Sequence, residues 1–191
     1  MGIRGIAVAV LLCVSGAAQA LLSNDYEKTG LVQALQRARA DGRHVMLYFG
    51  LETFCPPCKY TRDLLSGSTL VAAYRSNFHV VEVDLRNPGD EGRAAAARYG
   101  ARWAPTLVFV APSGKMVARM PKGFHNEREA LLTSEFVVQK HYLRSELEPF
   151  VKANFNATGA ERVFPEKRVA EAATTDDRPR LRDILGQKHE R

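Results

Sequence analysis

The residues best suited to chemistry are two cysteines, Cys55 and Cys58, separated by two prolines. They follow an apolar run at residues 45–49 and precede a helical pattern at residues 59–65. A cysteine at a helix N-terminus meets free backbone N–H groups and the positive end of the helix dipole, which stabilise a thiolate near neutral pH. A thiolate attacks a disulfide and forms a mixed disulfide, which a second nearby thiol resolves. We therefore assign Cys55 as the nucleophile and Cys58 as the resolving thiol.

The prolines between the cysteines limit how far the thiolate is stabilised. Proline is tolerated in the first turn of a helix, but Pro56 and Pro57 have no backbone N–H to donate to the Cys55 sulfur. The donors that remain are the backbone N–H and thiol of Cys58, with Lys59 acting at longer range. A less stabilised thiolate favours a reducing couple, so we regard these residues as redox-tuning and favour a reductase over an oxidase.

The N-terminal segment carries a secretory pattern. Arg4 supplies a positive charge, residues 6–14 are apolar, and Ala18-Gln19-Ala20 has the small-x-small form of a cleavage site. The apolar run is well short of the ~20 residues that a membrane span needs. We predict a signal peptide at residues 1–20, with an uncleaved anchor as the alternative. Cleavage would also remove Cys13, the one cysteine of the chain besides Cys55 and Cys58.

The mature chain would then hold only two thiols in a periplasmic or secreted setting, where disulfides persist. A bridge across a four-residue turn constrains the unfolded chain very little, so Cys55 and Cys58 are better suited to chemistry than to a structural staple. The formal net charge of +6 falls by one with the loss of Arg4 and is spread along the chain. We expect no nucleic-acid partner and no stable membrane span in the mature chain.

The elements that must position the cysteines alternate between helices and apolar strands. In chain order they are a helix over 29–40, a strand over 45–49, helices over 59–65 and 69–76, a strand over 78–83, a helix over 91–99, strands over 106–110 and 115–120, and a long helix from Glu127. Phe136, Leu143, Leu147 and Phe150 fall on one face of that last helix. Continuous apolar strands are typical of an α/β sheet buried on both faces.

The order of these elements predicts a three-layer α/β sandwich. Helices alternating with buried strands indicate parallel pairing, and the strands at 106–110 and 115–120 add an antiparallel hairpin at the edge. The packed domain is expected to span residues 21–155. Residues 156–191 are polar and charged, which indicates a disordered tail.

Three motifs carry a resemblance to a known family. They are the segment 54–59 after an apolar strand, Ala104-Pro105-Thr106 directly before another strand, and Lys122-Gly123-Phe124 after the last strand. Over roughly residues 30–155 the chain resembles the thioredoxin family, in particular secreted bacterial single-domain members. The resemblance implies a thioredoxin-like sandwich, with a central mixed sheet, an antiparallel C-terminal hairpin and helices on both faces.

The resemblance also implies how the site binds a partner. Pro105 would follow a cis peptide bond that brings the backbone of Ala104 beside the nucleophile, where it can pair with an extended peptide. Thr106 would help to hold this loop. Phe54 would act as an apolar lid before the first cysteine, and Trp103 is either a peptide-contacting aromatic or a core residue.

The sequence departs from the family in two places. Many members keep a buried carboxylate in the strand before the cysteines, whereas residues 45–49 contain no acid; Glu52 is either its substitute or a solvated loop residue. Many members also carry tryptophan before the first cysteine, where this chain has Phe54, so an indole donor is lost.

The resemblance implies an exported thiol–disulfide oxidoreductase that acts on exported protein thiols or disulfides and is served by an upstream redox partner. The Cys55–Cys58 pair would be its redox group, with no separate cofactor. Two alternatives remain: a non-catalytic interaction domain, and a module that binds copper or zinc. Zinc needs about four ligands, and the scattered histidines lie at no ligand spacing from the cysteines, so we predict no metal site. These histidines are His44, His79, His125, His141 and His189.

Overall fold

A computed structural model of the chain describes residues 30–157. The helices are α1 (Leu31–Asp41), α2 (Pro56–Leu65), α3 (Ser68–Asn77), α4 (Gly89–Tyr99), α5 (Glu127–Val138) and α6 (Leu147–Asn154). The strands are β1 (His44–Gly50), β2 (Phe78–Asp84), β3 (Thr106–Val110) and β4 (Met116–Pro121). The predicted signal peptide and the tail beyond residue 157 lie outside the described residues.

The strands form one mixed sheet in the order β2-β1-β3-β4. β1 and β2 run parallel, with Tyr48 opposite Glu82. β3 is antiparallel to β1, with Leu47 opposite Val108, and antiparallel to β4. The predicted mixed sheet and closing hairpin are confirmed, and within residues 30–157 only β1 and β2 pair in parallel.

Helices cover both faces of the sheet, which gives the predicted three layers. On one face α1 and α4 pack against alternate residues of the strands, including Val45, Leu47 and Val81. On the other face α2, α3, α5 and α6 pack against Met46 and Tyr48 of β1. They also pack against the side chains of the neighbouring strands that point to this face. Because side chains alternate along a strand, the fully buried β1 contributes to both cores. No helix among residues 30–157 is long and apolar enough to span a bilayer.

The prediction of one long C-terminal helix is wrong. α5 ends at Val138, a short 3₁₀ turn follows at His141–Leu143, and α6 begins at Leu147. Lys140 has a φ of 57°, in the left-handed region, where a right-handed helix cannot continue. Leu143 therefore lies on the turn, with 70% of its surface exposed, rather than on the buried face.

The apolar spacing nevertheless reflects real packing. Phe136 of α5 and Phe150 of α6 are both buried, with ring centroids 5.2 Å apart. Two short helices folded against one another thus bury Phe136, Leu147 and Phe150, three of the four residues on the predicted apolar face. Spacing alone does not distinguish these two arrangements.

Candidate active site

The two cysteines form a disulfide at the N-terminus of α2. β1 ends at Gly50, a loop over residues 51–54 follows, and Cys55 is the N-cap of the helix. The Cα atoms of Cys55 and Cys58 are 5.2 Å apart. Cys55 is partly exposed, whereas Cys58 is fully buried. A partner can therefore reach only the first sulfur from solvent.

The prolines occupy the first two positions of α2, where their missing N–H groups leave no helical bond unmade. The backbone N–H of Cys58 donates to the Cys55 sulfur at 3.2 Å, which is one of the two donors expected from the sequence. Lys59 is exposed and its ammonium group contacts Asp63 at 2.6 Å, one turn towards the C-terminal end of the helix. In this structure the Lys59 charge is therefore engaged with a carboxylate.

The loop before β3 has the predicted backbone geometry. The Ala104–Pro105 peptide bond is cis. The hydroxyl of Thr106 donates to the backbone carbonyl of Trp103 at 2.6 Å and so closes the loop on itself. The peptide-binding roles that the family resemblance gives to Pro105 and Thr106 stay predictions.

Two aromatic side chains project into solvent from the loop before Cys55 and from the loop that holds the cis-proline. Phe54 is 93% exposed and has a φ of 54°, which is an uncommon conformation for a bulky residue. Trp103 is 79% exposed. The interpretation of Trp103 as a core residue is therefore wrong, and the alternative of a surface aromatic fits the structure.

Gly123, in the third motif, lies against both α2 and the cis-proline loop. Its φ of 76° lies in the left-handed region that favours glycine. A Cβ at this position would overlap the hydroxyl oxygen of Thr61 in α2 and lie 3.0 Å from Cγ of Pro105. A side chain here would push the cis-proline loop away from the helix that carries the cysteines.

A cluster of polar groups lies behind α2, on the same face of the sheet as Cys58. The hydroxyl of Tyr48, in β1, donates to the carbonyl of Cys58 at 3.1 Å. The guanidinium of Arg62 lies 5.4 Å from the centroid of the Tyr48 ring, binds Glu82 at 3.1 Å and donates to the carbonyl of Leu51 at 2.9 Å. Arg62 thereby ties α2 to β2 and to the loop that leads to Cys55.

Burial dominates the ionisation of this cluster. Burial raises the pKa of Glu82, the Arg62 guanidinium opposes that effect, and the carboxylates of Glu52 and Asp84 add to it. Burial also raises the pKa of Tyr48, which keeps its hydroxyl a donor. Glu52 itself is exposed, as expected for a solvated loop residue. The partly buried carboxylate on the Cys58 side of the sheet is thus supplied by β2 rather than by β1.

Sequence reasoning missed Tyr48, Thr61, Arg62 and Glu82. Glu82 gave a signal, because a carboxylate in the otherwise apolar run at residues 78–83 must find a partner when its strand is buried. Tyr48 and Arg62 gave none, since their roles depend on the pairing of β1 with β2 and on the position of α2 above both strands.

Within the described residues, no group of three or more histidine, cysteine or acidic side chains could hold a metal ion. Of the scattered histidines, His79 contacts Asp41 at 2.9 Å and His125 contacts Glu129 at 3.0 Å. These contacts fasten the ends of helices and strands, which is a structural role.

Comparisons with known proteins agree with this fold. The family model of a thioredoxin-like domain matches residues 31–137, more than half of the chain. A comparison with curated protein sequences gave no match.

Several solved structures are similar to the chain. A DsbH oxidoreductase has a TM-score of 0.53 and 21% identity, and the match covers 59% of this chain and 84% of that protein. A thioredoxin-fold protein from Helicobacter pylori has a TM-score of 0.52 and 20% identity, covering 60% of this chain and 83% of that one. A thioredoxin from Thermus thermophilus is 32% identical, with a TM-score of 0.49, over 56% of this chain and 83% of that one.

The first two structures share the fold, and the family model covers the segment that contains both cysteines and the cis-proline. The chain therefore belongs to the thioredoxin-like domain family.

Proposed function

We propose that this protein is an exported thiol–disulfide oxidoreductase that exchanges disulfides with protein partners, with reduction as its physiological direction. The observation that carries the proposal is the asymmetry of the disulfide. Cys55 is partly exposed at the N-terminus of α2, and Cys58 is fully buried one turn further along. This arrangement suits an attacking sulfur and a resolving sulfur.

The reaction begins from the dithiol. The Cys55 thiolate attacks one sulfur of a partner disulfide, and the partner's other sulfur leaves as a thiolate that takes up a proton. Cys58 then loses its thiol proton and attacks the Cys55 sulfur. This step forms the Cys55–Cys58 disulfide and releases the partner's second sulfur. Two electrons pass to the partner, and an upstream dithiol protein must return the pair to its reduced form.

The exposed surface around Cys55 supports binding of an extended peptide. Phe54 and Trp103 are both large, apolar and largely exposed; Phe54 directly precedes Cys55, and Trp103 directly precedes Ala104 of the cis-proline loop. The family resemblance assigns the backbone of Ala104, which precedes Pro105, to pairing with a peptide strand. Thr106 keeps this loop closed by its hydrogen bond to Trp103.

The reducing direction rests on the environment of the Cys55 sulfur. Pro56 and Pro57 supply no N–H, so the backbone donor to the sulfur in this structure is that of Cys58. The ammonium group of Lys59 forms an ion pair with the carboxylate of Asp63. With fewer stabilising groups, the thiolate form is less favoured, and the couple moves towards reducing potentials.

Export is proposed from the N-terminal pattern of Arg4, the apolar run at residues 6–14 and the small-x-small triplet at residues 18–20. Expression of the full chain in an exporting bacterium should yield a periplasmic or secreted protein that begins at Leu21. Recovery of the intact chain in the membrane fraction would instead support an uncleaved anchor.

The exchange itself is tested by trapping. In an exporting cell, Cys58→Ala should accumulate mixed disulfides between Cys55 and partner proteins, visible as bands that disappear with dithiothreitol. Cys55→Ala is the matched control and should trap far less, because the remaining sulfur is buried. If neither variant traps a partner, the exchange function is wrong.

The direction is tested separately by equilibrating the wild-type protein with glutathione. A reduction potential of about −270 mV supports a reductase, whereas a value of about −120 mV places the protein with oxidants. The second result would overturn the proposed direction and leave the exchange reaction standing.

A further inference from the structure

Thr61 carries a buried hydroxyl that the exchange reaction as described does not use. The residue is fully buried, on the same face of α2 as Cys58 and Leu65. Its Oγ1 atom has no hydrogen-bond partner within the described part of the chain. An unpaired buried hydroxyl is destabilising, because it loses its hydrogen bonds to water on folding and gains none within the protein.

The usual partner of a helical threonine is available in principle and is not used. A threonine inside a helix commonly donates to the carbonyl four residues earlier. Thr133 in α5 does so, with a distance of 2.8 Å to the carbonyl of Glu129. The Thr61 hydroxyl makes no such bond to the carbonyl of Pro57. Its orientation is therefore set by something other than its own helix backbone.

The Cys58 sulfur is the candidate partner of this hydroxyl, because both residues are buried on the same face of α2. On one side lies Gly123, where a Cβ would overlap the hydroxyl oxygen, and Thr61 is fully buried from solvent. On the other side is the preceding turn of the helix, towards which helical side chains lean, and residues three apart on a helix are neighbours. The side chain in that turn is Cys58, whose sulfur is bonded to Cys55 in this structure.

We propose that Thr61 is a positioning residue of the redox pair, whose hydroxyl forms a hydrogen bond with the Cys58 sulfur when the disulfide is reduced. This inference rests on the proposed function, which requires the pair to cycle. A dithiol partner supplies the two electrons and becomes a disulfide. The Cys55–Cys58 bond breaks, leaving a thiolate on Cys55 and a thiol on Cys58, and the remaining proton goes to solvent.

The bond would serve both steps of the cycle. A Cys58 thiol can donate its hydrogen to the Thr61 oxygen, and a Cys58 thiolate can accept the hydroxyl hydrogen as it prepares to attack. The hydroxyl is unpaired only in the oxidised state. Thr61 thereby favours the reduced form and holds the Cys58 sulfur in a fixed place.

The test is the equilibrium of the purified protein with glutathione, for the wild type, Thr61→Val and Thr61→Ser. Valine keeps the shape and removes the hydroxyl. The loss of one hydrogen bond predicts that Thr61→Val shifts the equilibrium about fivefold towards the disulfide. Serine keeps the hydroxyl and should stay within about twofold of the wild type, because only a methyl group is lost.

Urea unfolding of the oxidised and reduced forms provides an independent check. Thr61→Val should leave the oxidised protein as stable as the wild type or more stable, since an unpaired hydroxyl has been removed. It should destabilise the reduced protein. The difference between these two changes must match the shift in the glutathione equilibrium, because the four states form a closed thermodynamic cycle.

A purely structural role for Thr61 predicts a different pattern. Thr61→Val would then change the stability of both forms equally and leave the glutathione equilibrium unchanged, and that result overturns the proposal. It would leave the proposed function intact as long as Cys58→Ala still traps partners. If the wild-type disulfide does not exchange with glutathione at all, the proposed function and this inference both fail.

Discussion

Replacement of Gly123 by alanine tests how the active-site helix and the cis-proline loop are held together. The new methyl group would meet two difficulties at once. The backbone at this position has a φ of 76°, and the Cβ would overlap the Thr61 hydroxyl and lie 3.0 Å from Cγ of Pro105. Neither neighbour is the free end of a flexible surface side chain, so the loop or the helix must move.

The two costs can be estimated separately. A non-glycine residue in the left-handed region costs about 1 kcal/mol. Forcing an extra methyl group into a packed site typically costs about 1–3 kcal/mol. We therefore expect Gly123→Ala to lower the free energy of unfolding by about 2–4 kcal/mol, which is a large part of the ~5–15 kcal/mol that stabilises a typical domain.

Gly42 offers a matched control. Its φ is 78°, close to that of Gly123, but a Cβ there would meet no atom within 4 Å. Gly42→Ala should cost only the backbone term of about 1 kcal/mol. Gly42 also precedes β1, whereas the active site lies beyond the other end of that strand, so disulfide exchange should be unaffected.

The assay is urea unfolding of both glycine variants, together with the double variant Gly123→Ala/Thr61→Ala. Removing the Thr61 side chain relieves the overlap, so the cost of Gly123→Ala should fall by at least about 1 kcal/mol in that background. Exchange activity should fall in Gly123→Ala, because the Pro105 loop is displaced. Equal losses of stability in Gly42→Ala and Gly123→Ala would refute the proposed contact.

Three further predictions follow from groups around the sheet. Tyr48→Phe removes the hydrogen bond to the Cys58 carbonyl and should lower the free energy of unfolding by about 1 kcal/mol in urea titrations. Slight burial raises the pKa of the Asp41 carboxyl, but hydrogen bonds from Arg43 and His79 outweigh that effect, so the pKa lies below its ordinary value. The loss of stability in Asp41→Asn should therefore be full at pH 7 and shrink as the pH falls below the ordinary value of 3.8. Burial raises the pKa of Glu82 above its ordinary value of 4.5. The wild type should therefore lose stability relative to Glu82→Gln as the pH rises from 4.5 through that raised value.

The two pH predictions have opposite signs, which makes them a joint test. As the pH is raised from acidic to neutral, the urea midpoint of the wild type should rise relative to that of Asp41→Asn and fall relative to that of Glu82→Gln. A Glu82→Gln variant that loses stability relative to the wild type on raising the pH would mean that the Arg62 ion pair outweighs burial. For Tyr48→Phe, an unchanged urea midpoint would mean that the bond to Cys58 contributes nothing to folding.

Local patterns were sufficient to predict the elements that carry the cysteines. The apolar run at residues 45–49, which is rich in strand formers, favoured a buried strand, and two adjacent prolines fit a helix only in its first turn. Together they placed Cys55 at the helix N-terminus, where the structure has it. The N-terminal interpretation and the disordered tail lie outside the described residues and stay predictions.

Other features depend on contacts between distant residues, and so the sequence did not reveal them. Gly123 is required because Thr61 lies against it, and two helices and three strands separate these residues along the chain. Arg62 finds Glu82 because β2 lies beside β1 beneath α2. The break at Lys140 was missed because a lysine in the left-handed region leaves no signature in the apolar spacing.

The central claim is that the Cys55–Cys58 pair turns over with protein disulfides. The most direct test is reduction of insulin disulfides with dithiothreitol as electron donor, followed by turbidity, for the wild type, Cys55→Ser and Cys58→Ser. The wild type should accelerate the reaction, and each single substitution should abolish sustained turnover. Acceleration that persists in Cys55→Ser, or a wild type no faster than dithiothreitol alone, would contradict it.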